Sequence, residues 1–420
     1  MTATPSGEAP FDLDAFVRLP RVSGLALSPD GTRLVASVAT LAPDGKGFVT
    51  SLWELDPDGA RPPRRLTRSA PGESGAAFLP DGSLLFTSSR KDPDAKPEER
   101  EDDDKAAIWL LPPGGGEARL VASAPGGVHA LEVAREAGTV VYATSLHPDA
   151  ETLDEDERRA KAARDAGVGA QLFEGYPIRY WDHYLGPRAP RLFAATPPHD
   201  DRLGAGVQLT PAPGRALDEA SFAVSPDGAT VLTTWKVDDV HDPRTQLVAI
   251  DVAGGAQRRL FDEPEASVDE VAISPDGRFA VCQRIAHGTP TTGPSVTLWL
   301  VDLATGGGRD LTPDFEPWPS GPAWAPDGSA VFFVADEGGR TPLFRVEVAS
   351  RASGIRASPD GGVTRLTAEG TYSDCRPAPD GRRLYALRST VASPPEAVVL
   401  DAATAGQEPR PLPTPGLPLL

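Results

Sequence analysis

The chain of 420 residues carries only two cysteines, Cys282 and Cys375. That excludes a disulfide framework and a thiolate zinc site. The expectation is a pair of buried, unbridged thiols in a reducing, cytoplasmic setting. The six histidines (His129, His147, His183, His199, His241 and His287) show no metal-ligand spacing, so neither a metal nor another cofactor is expected. No Gly-x-Ser-x-Gly elbow occurs; Gly72-Glu73-Ser74-Gly75 misses the second glycine position. A dinucleotide fingerprint and a phosphate loop are also missing. No apolar run is long enough to span a bilayer, and Met1 to Pro10 has neither a basic nor an apolar signal region. The net charge of −19 repels nucleic acid and anionic lipid, so neither is expected as a partner.

What the chain has in excess is turn-forming residues. Its 42 glycines and 45 prolines make up about a fifth of the sequence and favour many short strands over long helices. Pro-Asp-Gly recurs at Pro29, Pro80, Pro226, Pro275, Pro326 and Pro379, each time between two apolar stretches. Four of the five intervals are 51, 49, 51 and 53 residues. The fifth, 146 residues, contains a worn copy, Leu131-Glu132-Val133 then Arg135 to Gly138 then Thr139 to Tyr142, together with extra sequence placed at Leu146 to Pro190. Pro43, Pro57 and Pro359 begin the same tripeptide outside the register and read as ordinary loop turns.

Each unit has one grammar. In the fourth, Ser221 to Val224 runs into Ser225-Pro226-Asp227-Gly228, Thr230 to Thr234 is a second β-rich run, and Gln246 to Asp251 a third. Gly254-Gly255 then turns the chain into Arg258-Arg259-Leu260. Proline presets φ, aspartate bonds the local backbone and glycine takes the left-handed position that closes the hairpin. Four antiparallel strands in about 50 residues, repeated seven times, predict an all-β fold: a seven-bladed β-propeller of four-stranded antiparallel blades over residues 21–412. In such meanders the loops from second to third strand share one face with both chain ends, and the Pro-Asp-Gly turns lie on the opposite face.

Two long excursions fall in second-to-third-strand loops. One, Arg90 to Lys105 in blade two, is acidic and reads as solvated. The other is the blade-three insertion, 146–190. Its Thr152-Leu153-Asp154-Glu155 has the pattern of a capping box opening a short exposed helix. It continues into the aromatic cluster Phe173, Tyr176, Tyr180, Trp181 and Tyr184, interleaved with Arg179, Asp182 and His183. The cluster has two readings, a peptide-binding surface or packing of the insertion onto its blade. An N-terminal arm, 1–20, includes a short amphipathic helix around Phe11 to Leu19. The stretch 413–420 is proline-rich and reads as a linker.

These residues resemble a family. Phe11-Asp12-Leu13 through Arg18, Pro20-Arg21-Val22-Ser23, and Leu27-Ser28-Pro29-Asp30-Gly31 are similar to the opening of acylaminoacyl-peptidase-like members of the prolyl oligopeptidase family of serine peptidases. Tyr176-Pro177-Ile178-Arg179-Tyr180-Trp181-Asp182, leading to Arg191-Leu192-Phe193, resembles their blade-three insertion. The resemblance implies a non-catalytic propeller that gates an α/β-hydrolase domain, itself absent from this chain, and admits short or unfolded peptides as substrates. It implies peptide contacts at Arg179, Tyr180, Trp181 and Asp182, and it carries over no catalytic residue, because the positions matching the Ser, Asp and His of the triad are not in this sequence. Two other readings are a freestanding TolB-like scaffold for protein–protein contacts and a propeller lyase or lactonase with metal in its central channel.

Overall fold

The computed structural model describes residues 12–92, 105–167, 169–170, 173, 178–182, 184–200, 202–237, 244–348, 350–351, 354–355 and 362–416. Seven four-stranded antiparallel sheets follow one another along the chain, and in each the four strands are hydrogen-bonded neighbours in sequence order. The first strands, which pack on one another around the ring, are Arg21–Leu27, Ser74–Phe78, Val128–Val133, Phe222–Val224, Ala266–Ile273, Pro319–Trp324 and Thr371–Pro377. They form the inner wall. The fourth strands, Arg64–Arg65 to Arg410–Pro411, form the rim. Blade six carries one addition, a small hairpin of Ser350–Arg351 with Gly354–Ile355. The expected seven-bladed propeller is the fold.

Side chains alternate across each strand, so every blade presents one apolar surface to the blade before it and another to the blade after. Val140 and Tyr142 of blade three pack toward blade two, whereas Val141 between them packs toward blade four. Seven separate buried clusters result, one at each joint. Second strands are covered on both sides and are rich in apolar residues, most fully in Ala330–Ala335, where all six residues are buried.

The turn residues do what their chemistry requires. Ser28 Oγ donates to Asp30 Oδ1 (2.6 Å) while accepting from Arg33 N (2.9 Å), and Ser225 and Ser274 repeat the pattern with Asp227 and Asp276. Around the axis these turns stack on one another. Pro226 O accepts from the amides of Glu136 and Ala137, and Gly31 of blade one abuts Pro379 of blade seven. A second device ends the blades. The threonine that follows the fourth strand accepts from a third-strand amide: Thr67 from Leu52, Thr210 from Leu192, Thr312 from Leu298, Thr367 from Leu343 and Thr414 from Ala397, at 2.9–3.1 Å. The start of the 413–420 stretch therefore docks on blade seven, where Thr414 is buried.

Blade seven takes all four of its strands from its own stretch of chain, and among the described residues no strand is shared across the closure. Blades one and seven meet through an apolar cluster that includes Leu25, Val38, Tyr385 and Leu412. Arg376 Nε donates to Leu25 O (2.6 Å), and Arg383 pairs with Asp58 (3.0 Å). Gly416 lies against Pro20, so the two ends of the described chain leave side by side.

Gly31 (φ +72°) and Gly328 (φ +74°) occupy equivalent turns, but a Cβ on Gly31 would meet Pro379 Cδ at 2.9 Å while one on Gly328 meets nothing. Both alanine variants should carry the left-handed cost of about 1 kcal/mol. Gly31→Ala should lose at least that much again through the closure. Urea midpoints check this; equal shifts for the two would mean that the closure does not bear on stability.

Candidate functional site

Strand order places the arm, the second-to-third-strand loops and the blade-to-blade links on one face. The arm holds helix α1, Leu13–Arg18, with Asp12 as N-cap accepting from the amides of Asp14 and Ala15. Phe11 lies outside the described residues; Leu13 and Phe16 of the helix are exposed. The blade-two excursion lies outside the described residues over 93–104.

The blade-three excursion runs over 147–188, between strands Val140–Leu146 and Ala189–Ala195. Its helix α2, Leu153–Asp165, opens with Thr152 Oγ1 accepting from Glu155 N (3.2 Å), the expected cap. The surface of α2 is mostly exposed, but Asp156 is fully buried. Its carboxylate accepts from His147 N (2.8 Å), lies 2.5 Å from His147 Nδ1, and takes a forked pair of bonds from Arg188 (3.0 and 2.8 Å). His147 begins the excursion and Arg188 ends it, so one carboxylate ties the helix to both of its roots. Burial pushes the Asp156 carboxyl up, but Arg188 and His147 outweigh it and hold it below the ordinary range.

Past this clasp, Leu185 N donates to Ile178 O (3.0 Å) and Arg179 bridges Tyr184, forming a tight turn with Trp181 at its tip. The Arg179 guanidinium donates to Tyr180 O (3.1 Å) and Trp181 O (2.8 Å) and covers the Tyr184 ring, so it holds the turn in shape. Trp181 is 89% exposed, and Asp182 and Tyr184 are exposed with it. Tyr180 turns the other way. Its hydroxyl donates to Asp218 Oδ2 (3.1 Å) at the entry to blade four, and Lys236 lies over its ring. Burial and Asp218 together push the phenol up to about 12, so it stays a neutral donor. The four residues thus share one turn but have different surroundings. Tyr176 and His183 lie outside the described residues, and Phe173 is half-buried.

Under Tyr180, between blades four and five, a cleft of about 250 Å³ opens on the same face, lined among others by Asp218, Glu219, Lys236, Ser267 and Asp269. Ser267 Oγ and His287 Nε2 are hydrogen-bonded at 2.9 Å. Among the described residues nothing orients the other ring nitrogen, so the pair lacks the third member of a nucleophile–base–orienter set. On the inner wall, Glu132 of blade three meets water yet is ringed by protein, which raises its pKa; Arg376 of blade seven offsets part of that. Among the described residues no three His, Cys, Asp or Glu side chains converge as a metal site, and no helix is long and apolar enough to cross a membrane. Neither the Asp156 clasp nor the cleft was visible in the sequence: Asp156 sits inside a charge run, and its partners lie 9 and 32 residues away.

Seven four-stranded blades around one axis, with both ends of the described chain and the helix-bearing excursion on one face, define the class: a seven-bladed β-propeller. Solved structures superpose on most of the chain. Pyrococcus horikoshii acylaminoacyl peptidase matches with a TM-score of 0.64 at 14% identity, over 94% of this chain and 53% of that one. The propeller domain of the trilobed protease from Pyrococcus furiosus, which has an open velcro topology, matches at 0.57 and 10% identity, over 93% and 95%. An oligogalacturonate lyase in complex with manganese matches at 0.60 and 16%, over 93% and 91%. At these identities the likeness is one of fold, and the chain spans about half the length of the acylaminoacyl peptidases it matches. No family model and no curated protein matches the sequence.

Asp156→Asn should loosen the excursion by about 2 kcal/mol, below the full cost of a broken buried pair because Arg188 and His147 both reach water. The Asp156 carboxyl is lowered in the folded chain, so its contribution is complete above about pH 4 and fades as pH falls further. Trypsin cleavage at Arg158 and Arg159 should accelerate in the variant; cleavage at the wild-type rate would mean that the clasp does not hold the helix.

Proposed function

We propose that the chain is the non-catalytic propeller of a peptidase of the prolyl oligopeptidase type, docking an α/β-hydrolase domain on the face that carries both ends. There it gates the entry of short or unfolded peptides and helps to hold them. One observation carries the reading. Of nine exposed large apolar residues among those described, eight lie on this face. Leu13 and Phe16 are in the arm, and Ile178, Trp181 and Tyr184 in the blade-three turn. Phe48 opens a third strand, Val391 sits in the second-to-third loop of blade seven, and Trp318 in the link to blade six. Only Val207 points elsewhere, at the start of a fourth strand. An apolar surface so one-sided fits a large partner.

The propeller matched in full in a protease and across half of the acylaminoacyl peptidases supports the same assignment. In the closed assembly Trp181 and Asp182 would face the enclosed peptide, Arg179 would keep two of its five N–H groups on the turn and offer the rest to a carboxylate, and Tyr180 would anchor the turn. The unbridged, buried Cys282 and Cys375 favour a cytoplasmic setting.

Two measurements test this. The chain by itself should bind a hydrophobic dye; Phe16→Ser combined with Trp318→Ser should cut that binding several-fold, and Val207→Ser should leave it unchanged. Equal effects from both would remove the docking face. In the assembly with its hydrolase domain, Arg179→Ala with Trp181→Ala should raise peptide KM roughly tenfold, about 1.4 kcal/mol. An unchanged KM would leave docking in place and eliminate the peptide contacts.

A further inference from the structure

The seven joints are not alike. At six of them a residue of an inner strand, or the one leading into it, is hydrogen-bonded to the adjacent blade. Val128 N donates to Ala106 O (2.7 Å), Glu73 N to Thr50 O (3.0 Å) and Tyr372 N to Thr341 O (2.9 Å). Val271 N donates to Ser221 Oγ (3.1 Å), Gly321 N to Glu270 Oε2 (2.6 Å), and Arg376 to Leu25 O. Between blades three and four no such bond reaches either inner strand among the described residues. Blade four's inner strand is also the shortest of the seven, Phe222–Val224. A chain of turns over 213–220 replaces its outer part, with Glu219 in the left-handed region at φ 62°.

Among the described residues, the polar contacts across this joint sit at its two ends. On the Pro-Asp-Gly face, Pro226 O accepts from two consecutive amides, Glu136 and Ala137, at 3.0 and 3.1 Å. On the face with the chain ends, Tyr180 reaches over from the blade-three turn to Asp218, which Arg215 holds from the same side (2.6 Å), and Lys236 packs on its ring. Between them lies an apolar layer of Val141, Leu192, Leu217, Val231 and their neighbours, which allows sliding because it has no directional bonds. Among the described residues, backbone bonds at one end and the Tyr180 side chain, held by Asp218 and Lys236, at the other make a hinge and a latch.

We infer that the joint between blades three and four is a side gate, parting at the latch end when Tyr180 leaves Asp218 and turning about the Pro226 bonds. When it is open, the outside of the ring communicates through this joint with the space enclosed by the inner strands. Only the purpose of the gate, lateral entry of a peptide, rests on the function proposed above; the motion itself needs neither partner nor substrate.

Hydrogen exchange on the whole chain tests it. Tyr180→Phe keeps the ring and removes the bond, so amides of Phe222–Val224 and Val128–Val133 should exchange about tenfold faster, the population change that one hydrogen bond to a carboxylate commands. Amides of Arg21–Leu27 and Thr371–Pro377, at the closure of the ring, should not change. Acceleration spread evenly around the ring, or confined to the closure, would overturn the gate. Should Tyr180→Phe fail to fold, exchange in the unaltered chain decides it: the joint of blades three and four must open before the closure does. Because no hydrolase takes part, a negative result would leave the proposed function standing.

Discussion

Everything in this molecule depends on each sheet being covered on both faces. A single four-stranded meander with two apolar faces is insoluble as a unit; seven of them set around an axis cover one another, and seven buried clusters follow. The polar devices serve that arrangement. Ser-Pro-Asp-Gly networks fix the angle at which the first two strands meet, and the terminal threonines complete the third strand where the short fourth strand stops.

The architecture was legible because its determinants are local and repeated. A Pro-Asp-Gly turn is only three residues long, and its recurrence at about 50 residues, with four strands to each unit, gave both the number of blades and the face on which the loops lie. The site was less legible because its determinants are neither. Arg179 reads in the sequence as a peptide contact, and nothing there shows that two of its donors go to the carbonyls of its own turn. Tyr180 and Trp181 are adjacent in sequence and have opposite surroundings, one bonded to blade four and the other in solvent. Asp156 stands among eight other charged residues in α2 and is the one that is buried, a distinction set by His147 and Arg188 at the ends of the excursion.

The apolar face and the blade-three turn bring the fold and the proposed role together. The turn is rooted by an ion-paired clasp, shaped by a guanidinium and fastened sideways by a phenol that burial keeps neutral. Three kinds of polar interaction are thus used to hold exposed aromatic side chains out from the ring, an arrangement suited to contact with something large on that side.

Each blade is drawn from one uninterrupted stretch of chain, and this bears on how the protein is made. As the polypeptide leaves the ribosome, a blade has all four of its strands before the next begins, so no strand waits for a distant mate. The exception is the flank of the first blade. Leu25 must remain uncovered until Arg376, 351 residues later, arrives to close the circle. During synthesis that flank is the most exposed adhesive surface of the nascent chain, and its protection falls to chaperones or to speed.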